Sequence, residues 1–139
     1  MIQDNLKRGH TVAVTVEGGL DSINGASAPT IDSYTHAAIT TTADTANQEL
    51  VAAPGADKQV WVYGIFFTLG TGDGTVSFQD EDDTAITGVM PFVQNSGMAV
   101  PPSGNFSMPI WKVATNKALE VDVVTADIEG SIQYAIVSV

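Results

Sequence analysis

The chain has 139 residues, of which 44% are hydrophobic and only 15% are charged. This length suits one compact domain, and the low charge density leaves neutral surface of the kind that is often buried in an assembly. The net charge of −11 argues against nucleic acid and anionic membranes as partners, because both are bound through Lys and Arg. The absence of cysteine excludes disulfides and thiolate metal sites.

Residues 1–37 are predicted to form an extended N-terminal arm. Lys7 and Arg8 are adjacent in a polar beginning, and residues 11–17 alternate as a short strand does. Residues 18–29 are rich in Gly, Ala, Ser and Asn, which is typical of a linker. The arm is too small for a core of its own, so we expect it to pack on its own domain or on a partner. The apolar positions of the arm strand are Val12, Val14 and Val16.

Residues 38–139 are predicted to form the main domain, an all-β sandwich of about eight strands. Short apolar segments are separated by turn signals about every ten residues, and no long amphipathic helix competes with them. Residues 40–51 are compatible with a capped helix or a strand, and we favour a strand. Gly70–Gly74 predicts a tight hairpin, because Asp-Gly supplies the positive φ angles of a reversal. The remaining expected strands lie within 59–69, 75–79, 86–92, 106–113, 118–124 and 128–139.

The longest apolar segment, residues 59–69, is expected to be the central strand. Side chains of a strand alternate between its faces, and this segment is apolar on both. One face is expected to fill the core, with Trp61, Tyr63, Ile65, Phe67 and Leu69. The other face needs a second layer or a neighbouring subunit. We therefore predict a subunit interface that contains Val60, Val62 and Phe66.

Three features could carry chemistry, and each has a simpler structural interpretation. The acidic run Asp80–Asp83 could bind Ca²⁺, but it lacks the spaced pattern of a calcium loop and fits a solvated turn. His10 and His36 are not spaced as metal ligands and lie in no nucleophile motif. The pair Glu120 and Asp122 could serve a glycosidase, but any half-exposed strand shows this pattern.

Trp61 and Trp111, with Tyr63, could offer a stacking platform for sugars. Tryptophans within apolar segments are more often core or interface residues. No pattern here predicts catalysis, so we expect neither an enzyme nor a cofactor.

The chain resembles the small jelly-roll structural proteins of tailed bacteriophages in the stretch from Ala52 to Phe67, then in Gly74–Phe78, Thr87–Gly88, Pro109–Trp111, Asn116–Leu119 and Gly130–Tyr134. These are trimeric head-decoration or cement proteins and related fibre modules. The resemblance covers roughly residues 50–139, rests on strand rhythm and small residues, and transfers no catalytic residue. It implies a jelly roll with eight strands.

The resemblance also implies a homotrimer in a virion, assembled in the host cytoplasm, that decorates and stabilises a phage capsid. Its arm would contact the major capsid protein through Lys7, Arg8, Val12, Val14 and Val16. Two alternatives remain open. One is a receptor- or glycan-binding module of a fibre that uses surface loops such as residues 94–106, with Phe106 as the candidate exposed aromatic residue. The other is an enzyme with a jelly-roll scaffold, such as a lyase or a cupin-type metalloenzyme. A cupin needs histidine ligands on its core strands, and residues 38–139 contain no histidine.

Overall fold

The computed structural model describes residues 30–139, which form nine β-strands. The residues of the arm strand, with Lys7, Arg8, Val12, Val14 and Val16, lie outside this range, as does His10. The strands are β1 (Thr30–Thr40), β2 (Gln48–Val51), β3 (Lys58–Leu69), β4 (Gly74–Asp80), β5 (Met90–Phe92), β6 (Gly97–Val100), β7 (Trp111–Lys112), β8 (Leu119–Val124) and β9 (Ile128–Ser138).

The strands form two antiparallel sheets. Sheet A has the order β1-β9-β3-β6, with β7 also paired to β3, and sheet B has the order β2-β8-β4-β5. The strands pair in order from the two ends of the described sequence towards its middle: β1 with β9, β2 with β8, β3 with β6 and β4 with β5. Such a chain is one long hairpin rolled into two sheets, which is the jelly roll. The predicted fold class is confirmed.

The core lies between the sheets, where alternate residues of both inner faces meet. Leu119, Val121 and Val123 of β8 are fully buried there, as their alternation predicts. Across the interface between the sheets, the rings of Phe67 in sheet A and Phe78 in sheet B lie 6.0 Å apart. Burying such side chains is the main favourable term in folding, at about 25 cal/mol per Å² of apolar surface.

Several local predictions differ from the structure. Strand β1 runs through the expected boundary between residues 37 and 38 and pairs with β9 along its length. The segment Gly70–Gly74 reverses the chain with Gly72 at φ +78°, but it connects β3 of sheet A to β4 of sheet B and is not a hairpin. The reason is that β9 and β6 already occupy both sides of β3. Of residues 106–113, only Trp111–Lys112 form a strand.

Candidate interaction surface

A β-bulge in β3 decides which of its side chains face outwards. The register with β9 shifts between Val62 and Gly64, so the alternation slips at Tyr63. Before the bulge, Val60 and Val62 face the core. After it, Ile65 takes the core-facing position and Phe66 points outwards.

The structure therefore corrects the expected subunit interface. Val60 and Val62 are fully buried between the two sheets of one chain and have no side-chain area to offer to a partner. Phe66 is 57% exposed, so it is the residue of the three that can contribute to an interface. Sequence alternation could not show this, because the bulge moves the two valines and Phe66 to opposite faces.

One half of the outer face of sheet A is covered by the chain itself. Tyr34, Tyr63 and Phe106 form an aromatic cluster, with ring centroids 5.3–5.8 Å apart in edge-to-face geometry. The Tyr63 hydroxyl donates a hydrogen bond of 2.7 Å to the carbonyl of Phe106. Burial raises the pKa of Tyr63, and the neighbouring Tyr34 adds to this effect. The loop that contains Phe106 is thus held against the sheet.

Trp61 lies in this covered half and is almost fully buried. The ammonium group of Lys112 lies 4.1 Å from the centre of its ring, a cation–π contact. Trp111 lies on the opposite side of the sheet, where its ring is 5.0 Å from that of Phe78 in the core. The two tryptophans therefore do not form a common platform for a sugar.

The other half of the outer face is open. Beside Phe66 lies a groove of about 460 Å³, lined by nine residues of which none is charged. We call this surface the Phe66 patch. Its main residues are Phe66, Ala99, Pro101, Pro102, Ser131 and Gln133.

Gly64 lines the groove, and a larger residue at this position would require its neighbours to move. A Cβ atom at this position would lie 3.0 Å from Cδ of Pro102 and 3.1 Å from Oε1 of Gln133. Small and uncharged residues from three separate strands and a loop thus build the Phe66 patch. Sequence reasoning missed all of them except Phe66, because alanine, glycine and proline carry no distinctive signal.

The outer face of sheet B is acidic. Glu49 and Glu120 are register partners on β2 and β8, and Asp122 follows on the same face. One carboxylate oxygen of Glu120, Oε2, is buried without a hydrogen-bond partner. Burial raises the pKa of Glu120, and repulsion from neighbouring carboxylates, Asp83 foremost, raises it further. Repulsion between these like charges on neighbouring strands destabilises sheet B of the single chain.

The acidic run Asp80–Asp83 has a structural role in its turn. Asp80 is buried, and its Oδ1 accepts 2.9 Å hydrogen bonds from the backbone N–H groups of Asp82 and Thr84. Lys117 pairs with Asp82 at 2.8 Å and with Glu81 at 3.3 Å. Among residues 30–139, no group of three or more His, Asp or Glu side chains could hold a metal ion. His36 is exposed on β1.

No helix within the described part of the chain is long and apolar enough to cross a membrane. No protein-family model matches the sequence, and no curated protein matches it either. Among solved structures, the chain is similar to the one described as "Structure of Tobacco streak virus coat protein dimer at 2.4 Angstroms resolution". The identity is 14% and the TM-score 0.31, with 74% of this chain and 84% of that chain covered. A TM-score this low carries no argument about function, and the fold assignment rests on strand order.

Proposed function

We propose that this chain is a non-enzymatic structural protein of a virion, which decorates and stabilises a bacteriophage capsid as a homotrimer. One observation carries the proposal: Phe66 is 57% exposed beside an uncharged groove, on a chain whose net charge is −11. Exposed apolar patches with polar surroundings are typical of protein–protein contact sites. The jelly-roll fold alone would not support this function, because lectins and cupins have the same fold as capsid proteins.

The Phe66 patch is the surface through which we propose that subunits associate. Copies with this net charge repel one another over most of their surface, and the repulsion is weakest where neither copy presents a charge. Burying Phe66 and the groove in a neighbouring subunit removes apolar area from water, at about 25 cal/mol per Å². The acidic outer face of sheet B then remains in solvent.

In the same proposal, the N-terminal arm contacts the major capsid protein. Lys7 and Arg8 supply positive charge for an acidic capsid surface. The alternating Val12, Val14 and Val16 give the arm an apolar side. The partners are thus further copies of this chain and the major capsid protein, and the location is the virion.

The subunit interface is tested by a matched pair of variants whose mass is measured by light scattering after gel filtration. Phe66→Asp places a charge in the patch, and we expect it to convert the trimer to monomer. Val124→Asp is the control, because Val124 is 54% exposed on the outer face of sheet B. It should leave the trimer intact. Equal masses for the two variants would contradict the interface.

The arm is tested by co-sedimentation with particles assembled from the major capsid protein alone. Since β1 begins at Thr30, the appropriate deletion removes residues 1–29 and keeps β1 intact. We expect the truncated protein to remain a trimer and to lose particle binding. The double variant Lys7→Glu, Arg8→Glu should weaken binding without changing the mass. Undiminished binding by the truncated protein would overturn the proposed role of the arm.

A second candidate function is glycan or receptor binding through the aromatic cluster. The observation in its favour is that Tyr34 and Phe106 are each about half exposed, 46% and 49%, with ring centroids 5.3 Å apart. Aromatic faces of this kind can stack on sugars. Titration of oligosaccharides, followed by NMR, distinguishes the two functions. Saturable shifts that Tyr34→Ala removes would favour binding over decoration.

A further inference from the structure

The lateral edges of the two sheets differ in how they are protected against pairing with other strands. The edge strands β2, β5 and β6 have only three or four residues, β5 contains Pro91, and β6 runs into Pro101 and Pro102. Short strands and prolines are usual protections of an edge. Strand β1 has 11 residues, and beyond the bulge near Asp32 its residues 33–40 contain neither proline nor Asp, Glu, Lys or Arg. It is the edge within residues 30–139 that lacks such protection.

The hydrogen bonds of β1 show which of its backbone groups face β9. The N–H of Thr41 donates to the carbonyl of Ile128 at 3.0 Å. The carbonyl of Ala37 accepts a 3.1 Å hydrogen bond from the Ser131 hydroxyl on β9. Because backbone groups alternate in direction along an antiparallel strand, the odd-numbered residues of this segment point towards β9.

The even-numbered residues therefore point away from the sheet. The carbonyl of Thr40 agrees with this, since it accepts a 2.8 Å hydrogen bond from the Gln48 side chain beyond the edge. By this alternation the N–H and C=O groups of Tyr34, His36 and Ala38 face the open side of β1, where no described strand pairs with them. Together they form a ladder of donors and acceptors that is ready to accept one further strand.

We propose that residues 11–17 of the same chain dock on this edge as an added antiparallel strand. Their alternation is that of a strand with one apolar side, and seven residues match the open length of β1. The linker of residues 18–29 spans up to about 40 Å when extended, which is ample for the return. A tether of this kind gives an effective concentration in the millimolar range, so the chain's own segment fills the edge before another copy does.

The pattern of the segment also fits the sides of the sheet. With Val12, Val14 and Val16 on the inner side, the added strand extends the core beside Ala37, which is half-buried and packs against the core cluster. Thr11 and Thr15 then lie on the solvent side. Covering the β1 edge protects the free protein from edge-to-edge aggregation. The inference concerns the protein before it meets a particle and does not rest on the proposed function; Lys7 and Arg8 stay available to the capsid.

Amide hydrogen exchange of the full chain, followed residue by residue by NMR, tests the docking. We expect the outward amides of Tyr34, His36 and Ala38 to be protected. Thr15 would face the even-numbered residues of β1 with its backbone, so Thr15→Pro removes a donor to that edge, and protection of the three amides should fall by about tenfold or more. The amides of Thr35 and Ala37, which face β9, are the internal control and should keep their protection in the variant.

The matched control is Ser27→Pro, which places a proline in the linker of residues 18–29 and should change none of the amide exchange rates. Unprotected outward amides in the wild-type chain would overturn the docking. So would protection that Thr15→Pro leaves unchanged. Protection that weakens on dilution would assign the added strand to a neighbouring copy and contradict pairing within one chain. Loss of particle binding alone would not bear on the docking, so the two proposals fail separately.

Discussion

The outer faces of the two sheets each present one large apolar side chain on a central strand. Phe66 of β3 is 57% exposed and Val124 of β8 is 54% exposed. Phe66 lies beside an uncharged groove, whereas β8 also carries Glu120 and Asp122 on the outer face that presents Val124. Equal exposure therefore does not mean equal capacity to bind. The absence of charge from the groove beside Phe66 distinguishes a surface that can meet a copy of a chain with net charge −11.

The largest expected effect is on the free energy of unfolding, and it distinguishes Phe78 in the core from Phe66 on the surface. Phe78 is fully buried between the sheets, so Phe78→Ala should lower the free energy of unfolding by about 3–5 kcal/mol. Phe66→Ala removes an exposed ring and should change the unfolding free energy of a monomer by less than about 0.5 kcal/mol. Urea unfolding at low protein concentration measures both. A loss of several kcal/mol for Phe66→Ala would mean that its face serves the fold.

A smaller effect is expected from the backbone behind the Phe66 patch. A Cβ atom on Gly130 would lie 2.0 Å from the carbonyl oxygen of Phe66, so Gly130→Ala forces β9 and β3 apart. We expect a loss of about 1–3 kcal/mol in unfolding free energy. Gly88→Ala is the control, because a Cβ there meets nothing within 4 Å. Similar unfolding curves for the two variants would show that the strands adjust freely.

The covered half of sheet A depends on a hydrogen bond that can be removed alone. Tyr63→Phe deletes the donor to the carbonyl of Phe106 and should cost about 1 kcal/mol. We expect faster amide exchange in residues 101–110, which this contact holds against the sheet. Tyr34→Phe is the control, since its hydroxyl has no partner among the described side-chain hydrogen bonds. Unchanged exchange in the loop would contradict the role of the Tyr63 hydroxyl.

The smallest effect concerns the acidic face and depends on pH. Burial and neighbouring carboxylates raise the pKa of Glu120 above its ordinary value of 4.5, so the folded chain binds this proton more tightly than the unfolded chain does. Ionised Glu120 therefore destabilises the fold, and its cost grows as the pH rises above 4.5.

Glu120→Gln should raise the unfolding free energy at pH 7 by about 0.5 kcal/mol or less, and the gain should vanish at pH 4. Glu129→Gln, on an exposed position of β9, is the control and should change stability less at pH 7. Urea unfolding at both pH values gives the difference. A destabilised Glu120→Gln at pH 7 would mean that the carboxylate makes a favourable contact instead.

Much of the fold was predictable because one face of most strands is apolar and the other polar. Residues 118–124 and 128–138 alternate clearly, and the structure places them as expected. The reversal at Gly72 was also predictable. Whether the strands on its two sides pair with each other depends on their other neighbours in the sheets, and the local geometry of the turn does not decide it.

The candidate site was predictable only in part. Residues 59–69 are apolar on both sides, so nothing in their pattern reveals the bulge at Tyr63 that buries Val60 and Val62 and exposes Phe66. The groove beside Phe66 is made by Gly64, Pro101 and small residues from distant segments, which only the folded chain brings together. The low fraction of charged residues, 15%, was the more useful indication, since it predicted neutral surface of the kind that the groove beside Phe66 presents.

The most direct test of self-association through the Phe66 patch is the mass of the wild-type chain of 139 residues in solution, measured by light scattering over a range of concentrations. If the Phe66 patch joins copies of the chain, the mass should be three times the 14.5 kDa of the single chain. A mass of 14.5 kDa at every concentration would contradict self-association and leave the uncharged groove beside Phe66 without its proposed partner.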